Sequence, residues 1–144
     1  MKIFTIGFTK KSAEQFFDAL SRNGVTKLLD IRLNNKSQLA AFAKEEDLRY
    51  FLKKICAIEY RHIPQCAPSE ELLKKYQKKE IDWNVYEKEF KELIKKRNVV
   101  SLFNKDNLAN VCFLCSEPTP EQCHRRLLVE YLKDHFSDIE IVHL

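Results

Sequence analysis

One stretch, residues 111–128, constrains the fold more than any other part of the chain. It opens with an apolar run that is typical of a buried strand, and the run stops at Ser116. Thr119 as an N-cap, Pro120 at the first helical position and Gln122 in a capping box predict a helix that begins at Pro120. A strand, a tight loop and a capped helix in this order are typical of α/β proteins, whose ligands bind between the strand end and the helix start.

The same alternation of strands and helices runs along the whole chain. Strands are predicted over Lys2–Gly7, Val25–Leu33 and Glu59–Pro64, from Val111, and over Ile139–Leu144. Helices are predicted from the Ser12 cap to Asn23, over Glu45–Cys56, Glu70–Lys79 and Trp83–Lys96, and from Pro120, with Val99–Phe103 as a helical cap. Because helical crossovers join parallel strands, the first two strands are expected to pair in parallel. The pattern predicts an α/β fold, a mostly parallel sheet flanked by helices in a single three-layer domain spanning residues 1–144.

Composition narrows the classes of function. The chain has only 2 glycines, which argues against a glycine-rich phosphate loop, and its net charge of +4 permits a nucleic-acid partner without demanding one. No apolar run approaches the length of a transmembrane helix, and the N-terminal residues open directly into a strand pattern. We therefore expect a cytoplasmic protein with no membrane partner, whose oligomeric state the sequence does not determine.

The helix after Pro120 turns a charge toward the protein. When it is projected at about 100° per residue, His124 falls in the middle of the apolar face and Arg125 at its edge, whereas Arg126 faces solvent. An inward charge needs a partner, because an unpaired buried charge is very costly. The candidate partners are Glu117, in the loop before the helix, and Asp30, near the end of the second strand.

A glycine and two charged residues lie at the ends of the first two predicted strands. Gly7 ends the first strand, where the chain needs room to turn, and Asp30 and Arg32 interrupt the apolar pattern near the end of the second. Because parallel strands end at the same edge of a sheet, we expect these three residues to lie at one edge.

Seven segments of the chain form a pattern when they are taken together. They are Thr5-Ile6-Gly7, Asp30-Ile31-Arg32, Ser37, Tyr60-Arg61-His62-Ile63-Pro64, Trp83 with Tyr86, Leu114-Cys115-Ser116-Glu117 and Cys123-His124-Arg125. In this order the chain resembles the domain-of-unknown-function 488 family of bacterial and archaeal proteins over nearly its whole length. The resemblance implies an α/β domain with polar residues gathered at the strand ends. It implies the fold and the place of the site rather than a particular activity.

The chain departs from the usual pattern of that family at three places. Gly7-Phe8-Thr9 stands where the family often has Gly-His-Ser, and Asn35 stands where a proline often follows the Asp-x-Arg segment. Gln65-Cys66-Ala67 stands where Leu-Gly-Gly is often found. The missing histidine removes one candidate proton carrier, so a catalytic interpretation depends on His124.

The cysteines permit two interpretations. Cys112 and Cys115, followed by Cys123 and His124, have a superficially metal-like spacing. The first two face opposite sides of a strand and the other two diverge on a helix, so we predict no metal site and no cofactor, with Cys112 filling the core. Cys123, beside His124 and Arg125 near a helix start, is a candidate thiolate nucleophile, because such surroundings lower the pKa of a thiol. The alternative is a structural Cys123 packed between helix and strand.

The polar cluster is the stronger candidate for a site. Arg32, Arg125 and His124 offer cationic donors near a helix start, and Glu117 and Asp30 offer carboxylates. This set suits a bound phosphate or carboxylate, with His124 or Glu117 as general acid or base. The alternative is a purely structural network, in which Asp30 pairs with Arg125 and Glu117 holds the helix start.

Two hypotheses about function follow. The first is an enzyme that acts on a nucleotide, a nucleic acid or another phosphorylated substrate by acid–base chemistry. Its candidate catalytic residues are His124, Glu117 and Cys123, and its candidate anion-binding residues are Thr5, Gly7, Asp30, Arg32 and Arg125. The second is a non-catalytic module that binds an anion or a nucleic acid, with an affinity that falls steeply as salt is added.

Overall fold

The computed structural model of the chain describes residues 1–36 and 40–144. Its strands are β1 (Lys2–Gly7), β2 (Lys27–Asp30), β3 (Glu59–His62), β4 (Val111–Cys115) and β5 (Glu140–His143). Its α-helices are α1 (Ala13–Arg22), α2 (Glu45–Phe51), α3 (Glu70–Gln77), α4 (Trp83–Lys96), α5 (Lys105–Leu108) and α6 (His124–His135). None of these helices is both long enough and apolar enough to cross a membrane. Ser37, which belongs to the family pattern, lies outside the described residues.

The five strands form one sheet in the order β3-β2-β4-β1-β5, and every neighbouring pair is parallel. The predicted α/β fold with a mostly parallel sheet is therefore confirmed. The expected direct pairing of β1 with β2 is wrong, because β4 lies between them and pairs with both. All residues of β4 are buried, and a strand without a polar position suits the centre of a parallel sheet.

Apolar clusters cover both faces of the sheet. One cluster packs Phe4 and Leu114 of the sheet against α1 and α2. The other packs Ile3 and Phe113 against α3, α4 and α6. Successive strand residues point to opposite faces, so the same strands supply both clusters. The molecule therefore has the predicted three layers, with the sheet between two layers of helices.

Local capping explains where two of the helices begin. Ser12 and Gln15 form the predicted capping box of α1, with the side chain of each accepting the backbone N–H of the other at 3.1 and 2.9 Å. Asp82 caps α4 by accepting the N–H of Val85, and α4 occupies the predicted range. Side-chain caps of this kind satisfy backbone donors that have no partner within the helix.

The start of α6 differs from the prediction. The helix begins at His124 rather than at Pro120, so the predicted capping box of Thr119 and Gln122 does not start a helix. Cys123 is the N-cap, in an extended conformation (φ −140°, ψ 137°) that makes no side-chain cap hydrogen bond. Its side chain is buried at the edge of the sheet, and this tertiary packing overrides the local helix signal.

The connections leave the centre of the sheet in opposite directions. From β2 the chain moves outward to β3, whereas from β4 it moves the other way, past β1, to β5. In α/β sheets a crevice opens at such a switch point, beyond the carboxyl ends of the two strands. Here those ends carry Asp30 to Arg32 and Cys115 to Glu117.

Candidate functional site

A crevice of about 370 Å³ opens beyond the ends of β2 and β4. The polar part of its lining comes from the two strand ends and the start of α6, and comprises Arg32, Asn34, Ser116, Glu117, Gln122, Cys123 and His124. The facing wall comes largely from α3 and α4, and comprises Leu73, Tyr76, Gln77, Trp83 and Tyr86. The volume lies within the range of about 300–1,000 Å³ that is usual for small-molecule sites.

Asp30 and Arg32 form a buried ion pair on the β2 side of this crevice. The guanidinium of Arg32 donates from Nε to Oδ1 of Asp30 at 2.8 Å and from Nη2 to Oδ2 at 2.7 Å. The backbone N–H of Arg32 and the hydroxyl of Tyr60 donate to the same carboxylate at 3.1 and 2.6 Å. Burial, followed by the charge of Asp30, raises the pKa of Tyr60 and keeps this hydroxyl a donor.

These contacts give Asp30 and Arg32 different roles. Asp30, which was predicted to bind an anion, accepts four hydrogen bonds and does not line the crevice, so its contacts position Arg32. Arg32 lines the crevice and stacks over the ring of Phe8, with its guanidinium carbon 5.3 Å from the ring centroid. Its Nη1 is buried and makes no hydrogen bond within the described residues.

Arg125 is fully buried beneath the crevice, as its helical position predicts. Its Nη1 donates to the backbone carbonyl of Glu117 at 2.5 Å and to Sγ of Cys115 at 3.0 Å. Its Nε donates to Oγ1 of Thr5 at 3.3 Å. Its Nη2 has no hydrogen-bond partner in the part of the chain that the structure describes.

The predicted carboxylate partners of Arg125 are wrong. Asp30 is held by Arg32, and Glu117 offers its backbone carbonyl while its side chain lies exposed at the rim of the crevice. Arg125 thus forms no ion pair with a carboxylate of residues 1–36 or 40–144. Burial lowers the pKa of Arg125, and the charges of Cys112, Glu117 and Glu121 act in the opposite direction.

Gly7 and Thr5 support Arg125 instead of lining the crevice. A Cβ atom on Gly7 would lie 1.6 Å from the carbonyl oxygen of Glu117 and 2.8 Å from Nη1 of Arg125. Oγ1 of Thr5 accepts from Arg125 and lies 2.6 Å from Nδ1 of His143. Thr5 and Gly7, which were predicted to bind an anion, therefore lie beneath the crevice and do not line it.

His124 borders the crevice with a fixed tautomer. Its Nε2 lies 2.8 Å from the carbonyl oxygen of Ile31, so Nε2 carries the proton and donates it. The ring of Phe90 packs edge-on at 5.5 Å. Burial, the largest cause, lowers the pKa of His124 to about 4, and the charge of Arg125 acts in the same direction. The imidazole is therefore neutral at pH 7, with Nδ1 as a hydrogen-bond acceptor.

The sulfurs of Cys115 and Cys123 are in direct contact on the floor of the crevice, and the Cα atoms of the two residues are 7.7 Å apart. A disulfide usually spans 4.4–6.8 Å between Cα atoms, so the separation of these two is that of sulfurs packed together rather than bridged. Nη1 of Arg125 lies 3.0 Å from the first sulfur and 3.7 Å from the second. Cys112 points to the opposite face of the sheet and fills the core there, as predicted.

A comparison with protein-family models finds one described as "Domain of unknown function DUF488", which matches residues 12–132. The chain belongs to the DUF488 family. No curated protein and no solved structure matches it. The DUF488 match contains every residue that lines the crevice, whereas β1, with Thr5 and Gly7, lies before the match and β5 lies after it.

Sequence reasoning missed the aromatic side chains on the facing wall of the crevice. It named Trp83 and Tyr86 as part of the family pattern, and it did not connect them with Tyr76 of α3 or place them opposite His124. The available signal was the spacing of Trp83 and Tyr86, because residues three apart share one face of a helix. The packing of α3 against α4 and of both against the sheet end had no local signal.

Proposed function

We propose that the crevice binds a phosphate group and that the protein is an enzyme acting on a nucleotide, a nucleic acid or another phosphorylated substrate. The observation that carries the proposal is the pair of buried guanidiniums, Arg32 and Arg125, at one edge of the sheet. Each has one nitrogen without a hydrogen-bond partner among the described residues. Arg32 is paired with Asp30, whereas Arg125 has no counter-ion among the described residues. A buried cation without a counter-ion is costly, and a bound anion offsets that cost.

The two arginines contribute differently to this proposal. Arg32 lines the crevice and is held rigidly by Asp30, so it supplies the direct contact to a phosphate oxygen. Arg125 lies one layer deeper, behind the sulfurs of Cys115 and Cys123. Its charge has no carboxylate partner in the described ranges, so it leaves the floor of the crevice positive and attracts an anion from below.

The chemistry proposed here is proton transfer at His124. Because Nε2 of His124 donates to Ile31, Nδ1 is left as a base that can take a proton from a water molecule or a substrate hydroxyl. Glu117, on the exposed rim, is the second group able to carry a proton. Cys123 is the third candidate, with a sulfur that packs beside the guanidinium of Arg125.

The anion site is tested by the free energy of unfolding in urea, measured with and without inorganic phosphate at constant ionic strength. Phosphate at ten times its Kd should stabilise the wild type by about 1.4 kcal/mol, because a ligand of the folded state adds RT ln(1 + [L]/Kd). Arg32→Lys should lose most of this stabilisation, because a single ammonium cannot hold both Asp30 and a phosphate. Arg126→Lys is the matched control, since Arg126 is partly exposed, pairs with Glu130 and Glu87, and does not line the crevice.

Equal stabilisation of both variants by phosphate would refute the site. Turnover is tested separately, by release of phosphate or of new strand ends from nucleotides and oligonucleotides. His124→Gln should abolish turnover and leave the phosphate-dependent stabilisation unchanged. Binding without turnover by the wild type would replace the enzyme with the non-catalytic anion-binding module.

A further inference from the structure

The crevice has an aromatic side opposite its cationic side. The rings of Trp83 and Tyr86 are stacked, with centroids 5.2 Å apart and planes inclined by 23°. Tyr76 closes the group, with its ring 5.9 Å from Trp83 and 4.9 Å from Tyr86. We call these three residues the aromatic wall.

The aromatic wall is only partly absorbed into the core. Tyr86 is 2% exposed and anchors the group by packing parallel to Phe90. Tyr76 and Trp83 are half-buried, and both line the crevice. Partly exposed rings of this size bordering a cavity offer flat apolar surface to a planar ligand, and stacking of a nucleic-acid base on such a ring strengthens binding by about five- to hundredfold.

Two features hold the wall in place. Asp82 caps α4, so Trp83 is its first residue, and Tyr86 follows three residues later on the same face. The hydroxyl of Tyr76 donates to Oε1 of Gln122 at 3.4 Å, which connects the wall to the loop before α6. The amide of Gln122, which also lines the crevice, can donate to and accept from the edge of a heterocyclic base.

We propose that the crevice takes a single nucleoside monophosphate, with its base stacked on Trp83 and its phosphate directed to Arg32. Such a ligand uses both the aromatic wall and the cationic side at once. The volume of about 370 Å³ fits one nucleotide. The position of the phosphate at Arg32 rests on the proposed function, whereas the position of the base on Trp83 rests on the aromatic wall alone.

Trp83 is the only tryptophan of the chain, so intrinsic fluorescence reports on the wall directly. The protein is titrated at constant ionic strength with inorganic phosphate, ribose 5-phosphate, adenosine and guanosine 5′-monophosphates, and the two nucleosides, with affinities checked by calorimetry. At least one mononucleotide should quench Trp83 and bind at least about tenfold more tightly than ribose 5-phosphate, the factor expected from one stacked base.

The variants separate stacking from folding. Trp83→Leu should lose the tenfold advantage of the mononucleotide and keep the affinity for ribose 5-phosphate, whereas Trp83→Phe should keep part of the advantage. Tyr50→Leu removes an aromatic ring that is 58% exposed on α2 and should change neither affinity. Retained binding of ribose 5-phosphate shows that the crevice of the Leu variant is still folded.

The outcomes distinguish the two proposals. If ribose 5-phosphate binds as tightly as both mononucleotides, the base site is overturned and the phosphate site stands. If the nucleosides bind as tightly as the mononucleotides and phosphate does not bind, the base site stands and the proposed function is overturned. A single-stranded oligonucleotide that binds more than tenfold tighter than either mononucleotide would overturn the single-nucleotide ligand. Absence of binding by every probe would overturn both proposals.

Discussion

The buried imidazole of His124 predicts a loss of stability in acid. Its pKa is about 4 in the folded protein, against 6.5 for an ordinary histidine, chiefly because of burial. Above pH 6.5 both states hold a neutral imidazole and the group contributes nothing to the pH dependence. Between pH 6.5 and 4 the unfolded chain binds a proton that the folded protein does not, so stability falls as the pH falls.

The size of this loss follows from the difference in pKa. A difference of about 2.5 pH units corresponds to about 3 kcal/mol. The ring of His124 borders the open crevice, where solvent screens part of its charge, so we expect about 2 kcal/mol with about 3 as the upper limit. The charge of Asp30 acts against this shift and that of Arg125 acts with it.

The assay compares the wild type with His124→Gln, whose amide keeps the donor to the carbonyl of Ile31. The free energy of unfolding is measured in urea from pH 7.5 to 4.5, and the difference between the two proteins is plotted against pH. The wild type should lose stability relative to the variant as the pH falls. Taking the difference between the two proteins cancels the contribution of every other titrating group. His135→Gln, at the exposed end of α6, is the control for removing a histidine from the same helix. A flat difference, or a wild type that gains stability in acid, would refute a neutral buried His124, as would a proton NMR titration with a midpoint above pH 6.

Two further predictions test the supports of the site. Gly7→Ala should lower the free energy of unfolding by about 2–3 kcal/mol, because its Cβ would lie 1.6 Å from the carbonyl oxygen of Glu117. Gly24→Ala is the control and should lower it by about 1 kcal/mol from its positive φ alone, since no atom lies within 4 Å of its Cβ. Equal urea midpoints for the two variants would contradict the contact. Asp30→Asn should lower the free energy of unfolding by about 3–5 kcal/mol, because it leaves the guanidinium of Arg32 buried without a counter-ion. The control Glu59→Gln removes one member of an exposed ion pair and should lower it by less than about 1 kcal/mol. Similar losses in the two variants would show that Arg32 does not need Asp30.

The orientation of the residues on α6 was predictable although the start of that helix was not. The projection depends on the angle between successive residues, so it placed Arg125 inward and Arg126 outward whichever residue comes first. The start depends on a competition between the local capping signal at Thr119 and the burial of Cys123. Burial prevails, and nothing in the local sequence reports its strength.

The ion-pair partner of each buried charged side chain was harder to predict than the burial of that side chain. Asp30 and Arg32 are two residues apart at a strand end, and such residues share one face of a strand, so their pairing had a local signal. The insertion of β4 between β1 and β2 had none, because the order of strands in a parallel sheet is decided by long-range packing. The same applies to the aromatic wall, which exists only where α3 and α4 pack beside the end of β4.

The contrast between the two buried arginines is the strongest reason to assign the site a ligand. If both were structural, each would be expected to have a carboxylate within reach, as Arg32 has in Asp30. Arg125 instead contacts a carbonyl, a hydroxyl and two sulfurs, and it contacts no carboxylate among the described residues. A fold that needed only packing at this position would be at least as stable with methionine or leucine there. The unpaired positive charge therefore supports the proposed anion site, because Arg125 lies beneath a crevice that Arg32 and His124 border.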